Sequence, residues 1–589
     1  MLDKFSRAVV GIVGGVLISF CSYSQFVPVH QSHFGIYNFI DELANSKLIE
    51  VSSVVKPYSR KQIYEFLEVA KSNENKLNLR QRKDLNFYLN EFSLEQGEQP
   101  ANTHLNVLRN KKTLISLIDP AVRYNDSSTA IKLSPILGMN VLSNKHGEIT
   151  QKWFGGDFFV SYKNRLSFYA SLRDFSNEGE ILALGERKLK IKSPFTKRDT
   201  IISQQGHISL RQGGAYKIFP NRGDYSEMRG GLYLTWKWGH VGIVKDHISF
   251  GDSYHGSNIL SGRTPSFPMV KLFLKPTKFL EFSWFHGWLT SNVIDSSNFY
   301  QDNSGKKLYR YYNKYISSNM FTVTPVKHLK FSFGNSIIYA ERNINIAYFI
   351  PFLFYKSVDH SLTMGTENQN SQLFLNISSR NIPNLHLYGS IFFDEIKWSR
   401  FSSSSKEKNP LSYKVGGRLT NWPIRNISAT CEFTKNTIAT YIHSIPALSY
   451  TSNGYNLGSY IGDNAKEFYS SISYNPLRGL LLEASYTNAK HGNQYAYLRA
   501  DILDIISEPF MKNTVWSNTC YSFSIKYEVA SNMYALLNVD LSNIEGFDNN
   551  SPLSKGEYFS KGQQYLDMYT PKYLQGKNTT VTIGFSFGF

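Results

Sequence analysis

The stretch Thr579–Phe589, TTVTIGFSFGF, decides the fold. Val581, Ile583, Phe585, Phe587 and Phe589 fall on one face of an extended chain. Thr580, Thr582, Gly584, Ser586 and Gly588 fall on the other. A period of two belongs to a β-strand. A core-facing strand of a soluble β protein shows the same alternation. So does the last strand of a transmembrane barrel, with lipid on the apolar face, a polar lumen on the other, and no free edge once it pairs with the first strand.

The rest of the chain separates these two readings. Period-two patterning begins near residue 113 and continues to the end. Tyr521, Phe523, Ile525 and Tyr527 alternate with Ser522, Ser524, Lys526 and Glu528, and Leu280, Phe282 and Trp284 alternate with Glu281, Ser283 and Phe285. The connections alternate as well. Tight links rich in Pro, Gly or Asn, such as Pro325–His328, Arg380–Pro383, Pro423–Asn426 and Glu528–Ser531, take turns with long polar segments near 251–266, 290–313, 341–368, 397–410, 441–464, 489–515 and 544–575. Short turns at one end and long loops at the other are the pattern of a bacterial outer-membrane barrel. Counting back from the last strand gives about eighteen strands, an even number as closure requires. Segment 201–219 does not fit and is placed in a long outer loop directed toward the lumen.

Composition agrees. Aromatics make up 15% of the 589 residues while the mean hydropathy is negative, as alternating strands with aromatic girdles produce. A net charge of +18 favours an anionic partner. Export disfavours nucleic acid and favours lipopolysaccharide or an acidic polysaccharide. Export is read from residues 1–24: Lys4 and Arg7, then the apolar Ala8–Phe20, then Ser22-Tyr23-Ser24 before a cleavage site at Gln25. Of three cysteines, Cys21 lies in that leader, Cys431 has lipid-facing parity and Cys520 lumen-facing parity, so no disulfide is expected.

Residues 25–100 read differently. Phe34, Tyr37, Ile40 and Leu43 recur at helical spacing; so do Ile63, Phe66, Leu67 and Ala70 after Ser59 as N-cap, and Leu85, Tyr88, Leu89 and Phe92. These predict a small periplasmic bundle under the barrel, joined to it by a linker over 101–112. The fold class is therefore mainly β, an antiparallel outer-membrane barrel preceded by a helical bundle.

Several runs then resemble the Wzi-type capsule assembly outer-membrane proteins, in the form with an N-terminal helical segment. They are Val27-Pro28, Tyr37–Ala44, Lys56–Arg60, Asp224–Gly231, Phe250–Gly256, Tyr348–Phe352 and Leu457–Ala465. The resemblance implies a barrel that acts as a lectin for capsular polysaccharide and attaches the capsule to the cell. It implies no ligand-contacting set.

Candidate contacts come from the residues themselves. Lys306, Lys307, Arg310, Tyr311 and Tyr312 lie in the loop 298–315. Aromatic faces stack on sugar rings and Lys or Arg pairs with uronate or phosphate. The same residues would suit an aromatic girdle beside lipopolysaccharide. Tyr254, His255 and Arg263 in the preceding outer loop, and Trp398 and Arg400 in a later one, are further candidates. Gly251-Asp252-Ser253 has the look of an esterase nucleophile block, but no separate Asp-x-x-His follows to activate the serine. His240, His247 and His255 lack metal-site spacing, and His240 and His247 have opposite parity. No cofactor or catalytic constellation is expected. The expected partners are capsular or exopolysaccharide, outer-membrane lipid and lipopolysaccharide, and the barrel-assembly machinery. An open channel for solutes or sugars is the competing function.

Overall fold

The computed structural model describes residues 26–98, 100, 106–117, 121–163, 165–182, 188–192, 199–203, 213–219, 222–363, 369–402, 405–495, 502–549, 557 and 559–588. The expected leader over 1–24 and Phe589 lie outside them. Eighteen antiparallel strands close into a ring. In chain order they are β1 (Thr129–Asn144), β2 (Gly147–Tyr162), β3 (Leu166–Glu178), β4 (Arg222–Trp236), β5 (Gly239–Asp246), β6 (Phe267–Leu274), β7 (Leu280–Gln301), β8 (Lys307–Val326) and β9 (Leu329–Tyr339). There follow β10 (Asn370–Ser379), β11 (Leu385–Phe393), β12 (Leu411–Thr420), β13 (Ile427–Asn436), β14 (Ala465–Tyr474), β15 (Leu480–Gly492), β16 (Thr514–Ala530), β17 (Met533–Gly546) and β18 (Gly576–Phe587). Closure is made by β18 on β1, from Val581 opposite Ser143 to Phe587 opposite Leu137.

The alternation has the predicted sense. Ile583 is 62% exposed and Phe585 42%, while Thr582 and Thr580 are 4% and 2% exposed. Phe587 departs from this and is buried at the strand end. Cys431 is exposed and Cys520 is half-buried on the inside. At the short-turn end Asn384, Asn426 and Asn532 take φ of 65°, 65° and 57°, a left-handed conformation that Asn tolerates in tight turns. Ahead of the ring, Asn106–Arg109, Thr113–Ser116 and Ala121–Asn125 form a meander that pairs with the first residues of β1. The expected linker thus includes a strand, and β1 shares one edge between this meander and β18.

Helices α1 (Phe34–Asn45), α2 (Arg60–Lys71) and α3 (Leu79–Glu91) bury a common apolar core that includes Ile40, Leu43, Ile63, Leu67 and Leu85. Ser59 caps α2 as predicted: its hydroxyl accepts from Gln62 N at 3.1 Å, and Gln62 Oε1 accepts from Ser59 N at 2.9 Å. The bundle sits across the short-turn end. Arg380, from the β10–β11 turn, donates to Asn45 Oδ1 at 2.8 Å and pairs with Asp41 at 3.4 Å. The Tyr88 hydroxyl donates to Glu528 at 2.7 Å, and Lys132 of β1 meets Glu91 at 3.0 Å.

Candidate functional site

Two long loops fold into the lumen instead of standing on the surface. Ser249–Phe250 pairs antiparallel with Val55–Lys56, which rises into the lumen between α1 and α2. Asn258 takes a bond from the Tyr441 hydroxyl at 2.6 Å through its carbonyl and one from Ser390 at 2.6 Å through its side chain. Phe250, Ile259, Leu260, Tyr441, Leu448, Tyr450 and Leu457 pack with the inward residues Phe285, Ile316, Met320, Phe374 and Phe392 into one apolar core. Segments 247–266 and 437–464 therefore form a plug. The segment around 201–219 also turns inward where it is described: Gly213 N donates to Arg263 O at 2.7 Å, and the Tyr455 hydroxyl meets the Gly214 carbonyl at 3.1 Å.

This places three of the expected outer-loop residues inside the lumen. The Tyr254 hydroxyl and His386 Nδ1 share a hydrogen bond at 2.8 Å, under the Arg418 guanidinium at 4.6 Å from the tyrosine ring. His255 is buried and stacks on Tyr469 at 3.7 Å. Arg263 lies over the Tyr460 ring at 4.9 Å. All three serve the plug and line the lumen. Arg400 is buried at 4% exposure and held by Glu395 at 3.2 Å and Glu407 at 2.9 Å, so it braces its own loop; Trp398 beside it is fully presented at 81%. Ser253 donates to the Gly256 carbonyl at 3.0 Å, and Asp252 is engaged by Ser53 and by Asn376 at 2.6 Å. His240 and His247 are both inside despite their parity, because β5 ends at Asp246 and the alternation restarts. His247 meets His30 at 3.0 Å; among the described residues no cluster of three or more side chains suits a metal.

The remaining candidates lie together. Residues 298–315 are a β-hairpin rather than a loop. β7 and β8 stay paired out to Gln301 and Lys307, while β9 pairs with β8 only from Tyr315 downward. The hairpin therefore stands clear of the ring by roughly 25 Å. Lys306, Lys307, Arg310, Tyr311 and Tyr312 are all exposed on it. Arg310 sits 3.9 Å from the Tyr300 ring centre and Lys307 4.5 Å from that of Phe299, cation–π pairs that hold charge and aromatic surface side by side. Asp302 closes the tip, accepting from Ser304 Oγ at 2.6 Å and from the Ser304 and Lys306 amides at 2.9 Å, which hold its carboxyl below the usual range.

A second feature was not predicted. Between the plug and the wall formed by β14–β18 and β1–β4 lies a chamber of about 980 Å³. On one wall Trp153, Phe175 and Tyr225 are cross-strand partners on β2, β3 and β4, with ring centres 5.8 and 4.4 Å apart. Further along the same barrel wall, β15–β18 contribute Ser485, Thr487, Asn518, Ser542, Thr580 and Thr582. Lumen parity was readable for these residues; the register that lines up three rings on three strands was not.

No protein-family model matches the chain, and no curated protein matches it. Solved structures do. The fold is similar to Wzi, an outer-membrane protein involved in group 1 capsule assembly in Escherichia coli and described as a carbohydrate-binding β-barrel. That likeness has a TM-score of 0.53 and 10% identity, and covers 96% of this chain and all of that one. Acinetobacter baumannii OccAB2 (TM-score 0.39, 9% identity, 78% of this chain and 98% of that one) and Pseudomonas aeruginosa OccD3 (0.41, 8%, 78% and 90%) also match. At these identities the likeness is one of fold: a closed eighteen-strand antiparallel β-barrel, similar to that of Wzi, preceded by an N-terminal helical segment.

Proposed function

We propose that this protein is a surface lectin-like barrel that binds and anchors an exported capsular or exopolysaccharide. The observation that carries the reading is the free-standing hairpin, where Arg310, Lys307 and Lys306 lie among Tyr300, Tyr309, Tyr311 and Tyr312 in open solvent. Such a surface offers ring faces to sugars and charge to acidic substituents. The filled lumen supports it, since the plug and the bundle stand where a pore would run. Outer-membrane lipid and lipopolysaccharide would surround the apolar belt, and the barrel-assembly machinery would insert it. The solute-channel reading draws on the chamber, whose floor is formed by residues 30–41 of the N-terminal segment and α1.

The test is retention of polymer on cells. In a deletion strain, polysaccharide is made but shed into the medium; the wild-type gene restores it, and a double Arg310→Ala, Tyr311→Ala variant present at normal level restores less than half. Unchanged retention in the deletion strain contradicts the proposal.

A further inference from the structure

We propose that the lumen chamber is a saccharide subsite, in which sugar ring faces lie on Trp153, Phe175 and Tyr225 while hydroxyls bond the polar side chains that β15–β18 present to the same chamber. The proposal rests on the function proposed above and assigns it an internal site.

A water-filled lumen alone does not account for this wall. Each aromatic ring left facing water forfeits roughly 25 cal/mol per Å² of apolar area, yet three consecutive strands each place one at the same height. Trp153, Phe175 and Tyr225 are all half-buried, and each lines the chamber. Tyr216 meets Tyr225 edge-on at 4.4 Å and bounds the array at one side. Along β15–β18 the chamber is polar. Ser485, Thr487, Asn518, Ser542, Thr580 and Thr582 supply hydroxyl and amide groups to its lining.

A pyranose matches both kinds of lining. Its C–H face is apolar and suits an aromatic ring, and its equatorial rim carries hydroxyls that donate and accept. The volume, about 980 Å³, lies at the upper end of ordinary small-ligand pockets, so the subsite takes a short saccharide and not a polymer coil. Charge narrows the choice further. Arg173 and Arg229 share the lining with Glu227, Glu483 and Asp540. This mixed lining suits a neutral or singly charged sugar, in contrast to the basic hairpin.

The test uses full-length protein in detergent. The probes are fragments of about two to four sugars, made by partial hydrolysis of the producing cell's own surface polysaccharide, and the readout is calorimetry. Trp153→Ala and Tyr225→Ala remove the platform. Ser542→Phe narrows the chamber from β17 without altering the rings. Lys83→Ala, on the exposed face of α3, is the control. Closure of each barrel is checked by its heat-modifiable gel mobility. The expected result is fragment binding by wild type and control, weakened about tenfold or more in all three chamber variants. If those variants bind fragments like wild type while Arg310→Ala loses them, the chamber proposal is overturned and the surface-binding function stands. If wild type binds neither fragments nor intact polymer, both fall.

Discussion

Glu91 joins the two parts of the molecule through one side chain. Its carboxylate meets Lys132 of the first barrel strand at 3.0 Å and Arg60 of α2 at 3.7 Å, and accepts from the Ser531 hydroxyl in the β16–β17 turn. Burial alone would raise its pKa; Lys132 and Arg60 outweigh burial and hold it at about 2, against an ordinary 4.5. A depressed carboxyl stabilises the folded state fully above pH 4.5, and that contribution is lost as pH falls toward 2. Amide exchange in α2 and α3, corrected for intrinsic rates, should therefore lose protection between pH 5 and about 3. Glu91→Gln should be less protected at pH 7 and lack the acid step; equal protection at both pH values in wild type would contradict this. The role of Glu91 was not legible in the sequence, because parity and helical spacing say which face a residue occupies but not which distant group it meets. Tyr254, His255 and Arg400 show the same limit. Each was read as a loop residue of the right chemistry, and only tertiary structure shows that the first two are folded inward and the third is bound to Glu395 and Glu407.

Among the elements, segment 341–363 shows how a barrel wall is completed from outside. Phe282, Trp284, Tyr315, Ile337 and Tyr339 have outward parity, yet they are buried under Tyr348 and Tyr355. Phe331 and Phe333, of the same parity on β9, stay exposed. The wall beneath this strap is polar. Asn319 donates to the Pro351 and Leu353 carbonyls at 2.8 and 2.9 Å, Ser317 to the Tyr348 carbonyl at 2.7 Å, and Trp284 Nε1 to the Tyr355 hydroxyl at 2.9 Å. Polar groups cannot face acyl chains unpaired, so the strap satisfies them and presents Ile346, Ile350, Phe352 and Phe354 outward in their place. Asn319→Leu removes two of these bonds, about 1–3 kcal/mol of local stability. Protease sensitivity within 345–358 should rise while the barrel stays closed; an unchanged digest would mean that the strap is held by its apolar contacts alone. Sequence reading found this segment as a long loop and the runs Phe250–Gly256, Tyr348–Phe352 and Leu457–Ala465 as carriers of a family resemblance. The structure gives those runs a common feature: all three belong to loops folded back onto the barrel, two inside and one outside.

For the molecule as a whole, strand number and the facing of each strand follow from simple chemistry. Alternation shows which residues face out, and the alternating lengths of the connections give direction, so the expected count of about eighteen strands meets the eighteen observed. The filling of the lumen did not follow, because a loop of Gly, Asp, Ser and Tyr is equally suited to the surface and to a polar interior. That filling bears on whether the lumen is open to solutes. The decisive measurement is conductance of the purified protein in planar lipid bilayers. The structure predicts that wild type, with 247–266 and 437–464 seated inside and α1–α3 across one end, shows no steady open-channel current. A stable ohmic current of the size expected for an open barrel of this strand number would contradict the account.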